Sequence, residues 1–324
     1  MLEKYLHRTE FDSYEDFIQN YKLTIPDNFN FGFDIVDAWA DSDKDMQALV
    51  WCDDHGNEKS FTFNDIKRLS SQAANYFVSL GITKGSKILV ILRRRWEYWV
   101  IATAIHKIGA VLIPASLQLT KKDISYRANA ADVEAIVCIN DDFVISQAES
   151  ALPDSPSVKN LICVDKSRTD SNTGINSLKS LWKDFSSEAF KCSDVFNRPV
   201  GENATKTSDT MLIYFTSGTT GMPKMVHHDF SYPLGHIVTA KYWQCVEKGK
   251  LHMSVSDSGW AKFGWGKIYG QWICGAVIFA YDMDKFIPNN LLHMMEKYKL
   301  TTFCAPPTMF RFMLQEEVGK YDLS

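Results

Sequence analysis

Hydrophobic positions between residues 61 and 139 alternate between helical spacing and short continuous runs. Across 64–80 the apolar side chains recur every three or four positions, and Gly81 follows where a helix commonly ends. Continuous apolar runs of strand length indicate buried strands. The predicted elements, helix and strand in turn, occupy residues 64–80, 88–92, 96–108, 110–114, 120–130 and 135–139. This alternation predicts a parallel sheet with right-handed crossovers, and therefore an α/β fold.

Two polar segments, at residues 165–174 and 198–209, interrupt the hydrophobic pattern and indicate surface loops. The second is our candidate boundary between a first α/β lobe at 1–205 and a partial second lobe at 206–324. Beyond this boundary we predict strands and one helix from the same patterns. The strands occupy 210–215, 276–280 and 301–305, and the helix occupies 289–298.

Composition places the 324-residue chain among ordinary folded proteins, with 45% hydrophobic and 23% charged residues. Its net charge of −4 gives no broad positive surface, so we expect no nucleic-acid partner. The seven cysteines are odd in number and widely spaced. This pattern favours free thiols over disulfides or zinc, and we predict no metal site.

The first twelve residues carry Glu3, Glu10 and Asp12 and lack an apolar core, so they resemble neither a secretory signal nor a transit peptide. The most apolar long stretch, 99–117, is interrupted by His106 and Lys107. It therefore predicts a helix followed by a strand, and no membrane span. From these features we expect a cytoplasmic location.

A nine-residue loop after the strand at 210–215 carries the candidate chemistry. Its glycines allow several N–H groups to face one point, its hydroxyls add donors, and its lysine adds a positive charge. Such a loop can hold a triphosphate, although a Ser/Thr-rich turn that binds nothing is about equally compatible with the composition. The loop consists of Thr216, Ser217, Gly218, Thr219, Thr220, Gly221, Met222, Pro223 and Lys224.

The loop sequence T-S-G-T-T-G-M-P-K resembles the phosphate-loop signature of the adenylate-forming superfamily, which contains acyl-CoA synthetases, luciferases and peptide-synthetase adenylation domains. Residues 109–114 and 117–119 occur in the order expected of its first lobe. The resemblance implies two packed α/β/α subdomains of that superfamily's N-terminal domain. It also implies that the loop binds the phosphates of ATP and makes Gln118 a candidate for contacting coenzyme A.

Within the superfamily, residues 256–260, 266–272 and 305–308 are most similar to medium-chain and branched-chain acyl-CoA synthetases. Without the resemblance, a tryptophan such as Trp243 more often packs in a core than contacts a substrate. Lys262 is equally compatible with a pocket role and with a side chain that extends to solvent. The resemblance instead implies that five residues line or border the acyl pocket. These are Trp243, Lys262, Trp265, Gly266 and Cys304.

The activity implied by this resemblance is ligation of an acid to a thiol. A short- to medium-chain carboxylic acid, straight or branched, would react with ATP to give acyl-AMP and then acyl-CoA, with ATP, Mg²⁺ and coenzyme A as substrates or cofactor. Two alternatives stay open: an adenylation enzyme that passes acyl groups to a carrier protein, and a nucleotide-binding protein without catalysis. A homo-oligomer is compatible with each of them.

Several elements that the resemblance implies have no counterpart in these 324 residues. They are a β-barrel subdomain, a Mg²⁺-binding glutamate, and a small C-terminal domain with the catalytic lysine, all expected beyond Ser324. We therefore expect an incomplete N-terminal part that is inactive alone, and we assign no catalytic residue. The roles of His227 and His228 stay open, and the arginines at 93–95 are either a solvated strand end or a contact to a coenzyme A phosphate.

Overall fold

The structure is a computed structural model that describes residues 1–164, 181–216 and 221–323. Within these ranges the strands are β1 (Gln47–Asp53), β2 (Glu58–Thr62), β3 (Lys87–Ile91), β4 (Val111–Pro114), β5 (Val133–Ile139), β6 (Asn160–Val164), β7 (Trp182–Asp184), β8 (Thr210–Thr216), β9 (Lys224–Asp229), β10 (Leu251–Ser254), β11 (Val277–Asp282) and β12 (Thr302–Cys304). The α-helices are α1 (Tyr14–Asn20), α2 (Ala38–Ser42), α3 (Phe63–Ser79), α4 (Glu97–Ile108), α5 (Lys121–Ala131), α6 (Asp142–Ala151), α7 (Phe185–Ala189), α8 (Tyr232–Gly235), α9 (Ala261–Lys267), α10 (Tyr269–Ile273), α11 (Pro288–Tyr298) and α12 (Pro307–Met313). The described residues also contain two π-helical segments, Gly32–Asp37 and Val238–Trp243.

In the part of the chain that the structure describes, the first sheet has seven strands in the order β7-β6-β5-β3-β4-β8-β9. Its strands run parallel except β9, which pairs antiparallel with β8 at one edge. The parallel part is built from strands joined through helices, as the alternating hydrophobic pattern predicts. The predicted elements between residues 64 and 139 are all present, with ends that shift by at most a few residues.

The second sheet, counted over the same described ranges, has five strands in the order β12-β10-β11-β1-β2. Four of them are parallel, and β2 pairs antiparallel with β1. β1 and β2 come from the first fifth of the chain but pair next to β11, whereas β8 and β9 belong to the first sheet. Sheet membership therefore does not follow a boundary between residues 205 and 206, and the division into lobes at that point stays a prediction.

Alternation along β3 shows how the layers are arranged. Ile88 and Val90 pack into a core between the two sheets, while Leu89 and Ile91 pack into a second core on the opposite face. Successive strand residues point to opposite faces, so a strand buried on both faces is apolar throughout. The central core also contains α4, in which every residue is buried. The α/β class with two packed sheets is thereby confirmed.

Local signals explain where the long helices begin and end. α3 begins with a reciprocal capping box, in which the Thr62 hydroxyl accepts from the Asp65 N–H and the Asp65 carboxylate accepts from the Thr62 N–H. α4 ends at Gly109, which has a positive φ of 80° that a residue with a Cβ adopts only with strain. The stretch 99–117 is thus a helix and a strand, as predicted. None of the helices in the described part of the chain has the length and apolar character needed to cross a membrane.

Candidate functional site

The β8–β9 hairpin places the two ends of the candidate phosphate loop side by side. β8 ends at Thr216 and β9 begins at Lys224, and these two residues are partners in the antiparallel register. Gly221 has a φ of 107°, so the returning half of the loop uses the backbone freedom expected of its glycine. Lys224 is exposed, as are Gly221 and Met222, while Pro223 is half-buried. Four predicted loop residues lie outside the described residues: Ser217, Gly218, Thr219 and Thr220.

Helix α5 supports both arms of this hairpin. The Tyr126 hydroxyl donates to the Pro223 carbonyl oxygen at 2.8 Å, and its ring lies 6.1 Å from that of Phe215. The Arg127 guanidinium lies over the Phe215 ring, 5.1 Å from its centroid. The sequence analysis missed Tyr126 and Arg127, because their spacing predicts only one face of an ordinary amphipathic helix.

The carboxyl ends of the two sheets meet at this edge of the molecule. A Cβ on Gly259, in the segment after β10, would lie 2.3 Å from the backbone nitrogen of Ser116, in the segment after β4. The backbones therefore touch, and only glycine fits. Gln118, the coenzyme A candidate, is exposed on the same segment after β4, and its N–H donates to Ser116 Oγ at 3.3 Å. Ligands of open α/β sheets bind outside such carboxyl ends.

The arginines at 93–95 join the sheets at this edge, so the prediction of a solvated strand end is wrong. Arg94 Nε and Nη2 donate to the carbonyl oxygens of Tyr281 and Met283 at 3.2 and 2.5 Å, respectively. Arg93 pairs with Asp282 at 3.2 Å at the end of β11. Burial lowers the pKa of Arg94, against the raising effect of the nearby carboxylates. Because Arg94 is occupied by protein carbonyls, these contacts give no support to its predicted alternative role as a phosphate contact.

Two of the acyl-pocket candidates, Cys304 and Gly266, lie beside one serine, and Lys262 lies beside Gly266. Cys304 is the β12 partner of Ser254, the last residue of β10. A Cβ on Gly266 would lie 2.9 Å from Ser254 Oγ and 3.5 Å from Lys262 Cγ. Ser254 is fully buried, and its hydroxyl has no hydrogen-bond partner among the described residues. Sequence analysis missed Ser254, although a serine that ends an apolar strand at a carboxyl edge is a recognisable signal.

The other two candidates belong to a line of rings that we call the aromatic row: His228, Tyr232, His236, Trp265 and Trp243. Neighbouring ring centroids are 4.3, 4.5, 6.2 and 6.0 Å apart along that order. The row begins on β9, four residues after Lys224, and ends at Trp243, which is 63% exposed. Its first three members, His228, Tyr232 and His236, are four residues apart in the sequence. The sequence analysis did not use this spacing, which indicates that the three side chains lie on the same side.

Burial keeps the row uncharged near neutral pH. It lowers the pKa of His236 to about 4, with His228 adding to the effect, and it also lowers the pKa of His228. Both imidazoles are therefore neutral, and His227, the neighbour of His228, is exposed on the other side of β9. Lys267, which sequence analysis also missed, is buried nearby. Burial and then Arg94 lower its pKa to about 7, and its ammonium lies 4.6 Å from the Phe263 ring centroid.

No cluster of three or more His, Cys, Asp or Glu side chains is placed to hold a metal ion in the ranges 1–164, 181–216 and 221–323. The seven cysteines are all free thiols, and four of them are buried. The described residues thus offer donors and apolar rings rather than a coordination site.

The catalytic lysine and the Mg²⁺-binding glutamate implied by the resemblance were expected beyond Ser324. Ser324 itself lies outside the described residues, which end at residue 323. The structure therefore places neither group, and their location stays a prediction.

A family model described as "AMP-binding enzyme" matches residues 36–324. The chain belongs to the AMP-binding enzyme family. Human "Acyl-coenzyme A synthetase ACSM3, mitochondrial" is 32% identical over 318 residues, covering 96% of this chain and 52% of that protein. Human "Acyl-coenzyme A synthetase ACSM4, mitochondrial" is 33% identical over 304 residues, covering 92% and 50%. These matches confirm the resemblance to acyl-CoA synthetases.

A solved structure, "Crystal structure of Brucella canis Acyl-CoA Synthetase", superposes on this AMP-binding enzyme with a TM-score of 0.77 at 19% identity, covering 90% of this chain and 50% of that chain. At that identity the similarity shows the fold alone. The chain spans about half the length of the curated relatives it matches.

The expectation of a cytoplasmic location is wrong by the same comparison, because the matched synthetases are named as mitochondrial proteins. Its basis was the absence of leader features in residues 1–12. Tyr5 and Leu6 are buried in the central core, so that stretch belongs to the folded body and carries no information about a leader.

Proposed function

We propose that this AMP-binding enzyme is an acyl-CoA synthetase that activates short- to medium-chain carboxylic acids, straight or branched, with ATP. The observation that carries the proposal is the continuity of β9. Its first residue, Lys224, closes the phosphate loop, and its fifth, His228, begins an uncharged aromatic row. In our proposal, Lys224 contacts the triphosphate and the aromatic row contacts the acyl chain, so one strand connects the positions of the two reactants of the first step.

In the first step, the acid carboxylate would attack the α-phosphorus of ATP, releasing pyrophosphate and forming the acyl adenylate. Carboxylate and triphosphate repel each other, so the protein must supply positive charge and oriented donors. Lys224 provides charge at the mouth of the loop, and the hydrogen bond from Tyr126 to Pro223 holds the returning arm in place. Bound Mg²⁺ would neutralise further phosphate charge, although the described residues do not form a cluster that could hold it.

In the second step, the thiol of coenzyme A would attack the acyl carbon, and AMP would leave. Gln118 is exposed on the segment after β4, which touches the segment after β10 at Gly259. This exposed position, at the edge where the carboxyl ends of the two sheets meet, supports its assignment as a coenzyme A contact. We also propose a mitochondrial location, after the names of the matched relatives.

The test is acid-dependent ATP–pyrophosphate exchange by the complete gene product, with a series of straight and branched acids. We expect exchange with butyrate to octanoate and formation of the acyl-CoA when coenzyme A is added. Transfer of the acyl group only to a phosphopantetheinylated carrier protein would support the carrier alternative. ATP binding without exchange for any acid would reject ligase activity and leave a nucleotide-binding protein.

A further inference from the structure

A surface groove lies between the N-terminal residues 10–17 and the π-helical segment Val238–Trp243. Its cavity volume is about 440 Å³, which is within the range of small-molecule sites. Six of its lining residues are apolar or aromatic: Phe11, Tyr14, Phe17, Val238, Tyr242 and Trp243. Apart from Trp243, these residues have no part in the reaction as described above.

The groove has a fixed floor of interlocking rings. Phe17 lies 5.1 Å from Phe11 and 5.1 Å from Tyr242, both edge-on. The Tyr242 hydroxyl donates to the Thr9 carbonyl oxygen at 2.9 Å, which holds the N-terminal segment against the π-helical segment. The shape therefore exists before a ligand arrives, and binding does not need to order it.

The lining is also almost free of charge. Glu10 is the one charged residue among those that line the groove, and its carboxylate pairs with Lys241 at 2.8 Å. Tyr14 and Trp243 stand at the rim with 72% and 63% of their surface exposed. An apolar ligand that covers these rings would remove a large aromatic area from water, which favours binding.

Trp243 belongs both to the groove and to the aromatic row. On one side it lines the cavity, and on the other its ring centroid is 6.0 Å from that of Trp265. From Trp265 the row continues through His236 and Tyr232 to His228 on β9. The groove and the aromatic row therefore share the ring of Trp243.

We propose that the groove receives the methyl end of longer aliphatic acids, and that Tyr14 and Trp243 set the preference for chain length. This inference rests on the proposed function of the aromatic row as the acyl site. The continuity of the row with the groove favours a fatty acyl tail over a second copy of the chain or a partner helix, because neither of these would need a connection to β9.

The test compares Tyr14→Ser with Phe143→Ser, which replaces an aromatic residue of α6 that is 47% exposed and lies outside the groove. In the complete gene product, the ratio of kcat/KM for dodecanoate to that for hexanoate should fall at least about threefold in Tyr14→Ser. Phe143→Ser should keep the wild-type ratio. Trp243→Ala should also weaken the affinity for dodecanoate.

Calorimetric binding of dodecanoate and hexanoate gives a readout that does not depend on activity. Weaker dodecanoate binding in Tyr14→Ser, in a protein that shows no exchange with any acid, would support the groove and reject the synthetase function. Unchanged dodecanoate binding and an unchanged ratio in both groove variants would overturn the inference. So would a concentration-dependent dimer, seen by sedimentation, that Tyr14→Ser abolishes, because the groove would then be an interface between copies.

Discussion

Lys224 is the residue on which the phosphate-loop assignment depends most directly. It is exposed at the start of β9, so its side chain adds little to folding stability. In Lys224→Ala, acid-dependent pyrophosphate exchange should fall by about 30- to 1000-fold, since a charge contact to the transferring phosphate is worth about 2 to 4 kcal/mol. The melting temperature should not change. Lys122→Ala, an exposed lysine of α5, serves as the control, and exchange that persists in Lys224→Ala would reject the assignment.

Gly266 leaves little room beside Ser254, and the two residues offer a test by paired substitution. In Gly266→Ala the new methyl group would lie 2.9 Å from Ser254 Oγ. We expect the free energy of unfolding to fall by about 1 to 3 kcal/mol, as for other overpacked cores.

Adding Ser254→Ala should recover much of that loss, because it removes the oxygen and leaves Ser254 Cβ at 3.5 Å. Ser254→Ala alone should be neutral or stabilising, since the hydroxyl has no partner among the described residues. Urea denaturation of the four proteins measures these differences. Equal destabilisation of the single and double variants would show that Gly266 is needed for a reason other than this contact.

At the scale of elements, Arg94 links the end of β3 to the end of β11. Its two hydrogen bonds to Tyr281 and Met283 carbonyl oxygens need a planar fork, which lysine lacks. Arg94→Met should therefore lower the free energy of unfolding by about 2 to 4 kcal/mol, and Arg94→Lys should recover only part of it. Arg68→Met is the matched control, because Arg68 makes a single long pair of 3.9 Å with Asp65.

The position of Arg94 also predicts an effect on the site. Its guanidinium lies 3.8 Å from Asp257, within the segment after β10 that approaches Ser116. Loss of this anchor should raise KM for the acid in exchange assays more than it lowers kcat. If Arg94→Met altered stability but left KM unchanged, the link would be structural only.

For the whole molecule, buried histidines predict a loss of stability in acid. Burial lowers the pKa of His252 to about 4 and that of His106 to about 3, from 6.5. Below pH 6.5 these histidines therefore bind protons in the unfolded chain but stay neutral in the folded chain. Their full contribution to the free energy of unfolding is present above pH 6.5 and decreases as the pH falls below it. Each histidine contributes at most about 1.4 kcal/mol per pH unit within its window.

His252→Gln isolates this effect. In the wild type, Nε2 contacts the Gly266 carbonyl oxygen at 3.0 Å and Nδ1 contacts Thr302 Oγ1 at 2.8 Å, and neither contact needs a charge. The variant should show a shallower decline in the free energy of unfolding between pH 6.5 and about 4. Parallel curves for the two proteins, measured by chemical denaturation across that range, would contradict the buried, neutral state of His252.

Local patterns in the sequence determined much of the first sheet. The apolar runs of β3, β4 and β5 and the periodic face of α3 are sufficient to predict those elements. Burial on both faces of a strand gives a continuous apolar run, and burial of one helix face gives apolar residues at helical spacing. The loop from Thr216 to Lys224 was recognised through the resemblance of its nine consecutive residues, because its composition alone is about equally compatible with a turn that binds nothing.

Only the tertiary structure decided which distant segments meet. β1 pairs with β11 across more than two hundred positions of sequence, and a strand pattern carries no information about its partner. Likewise, the sequence around Arg94 is typical of a solvated strand end. Only the tertiary structure brings its guanidinium to the carbonyl groups at the end of β11, where it links the two sheets. Trp243 is exposed and Ser254 buried for the same physical reason, since burial depends on what packs against a residue rather than on its neighbours in the chain.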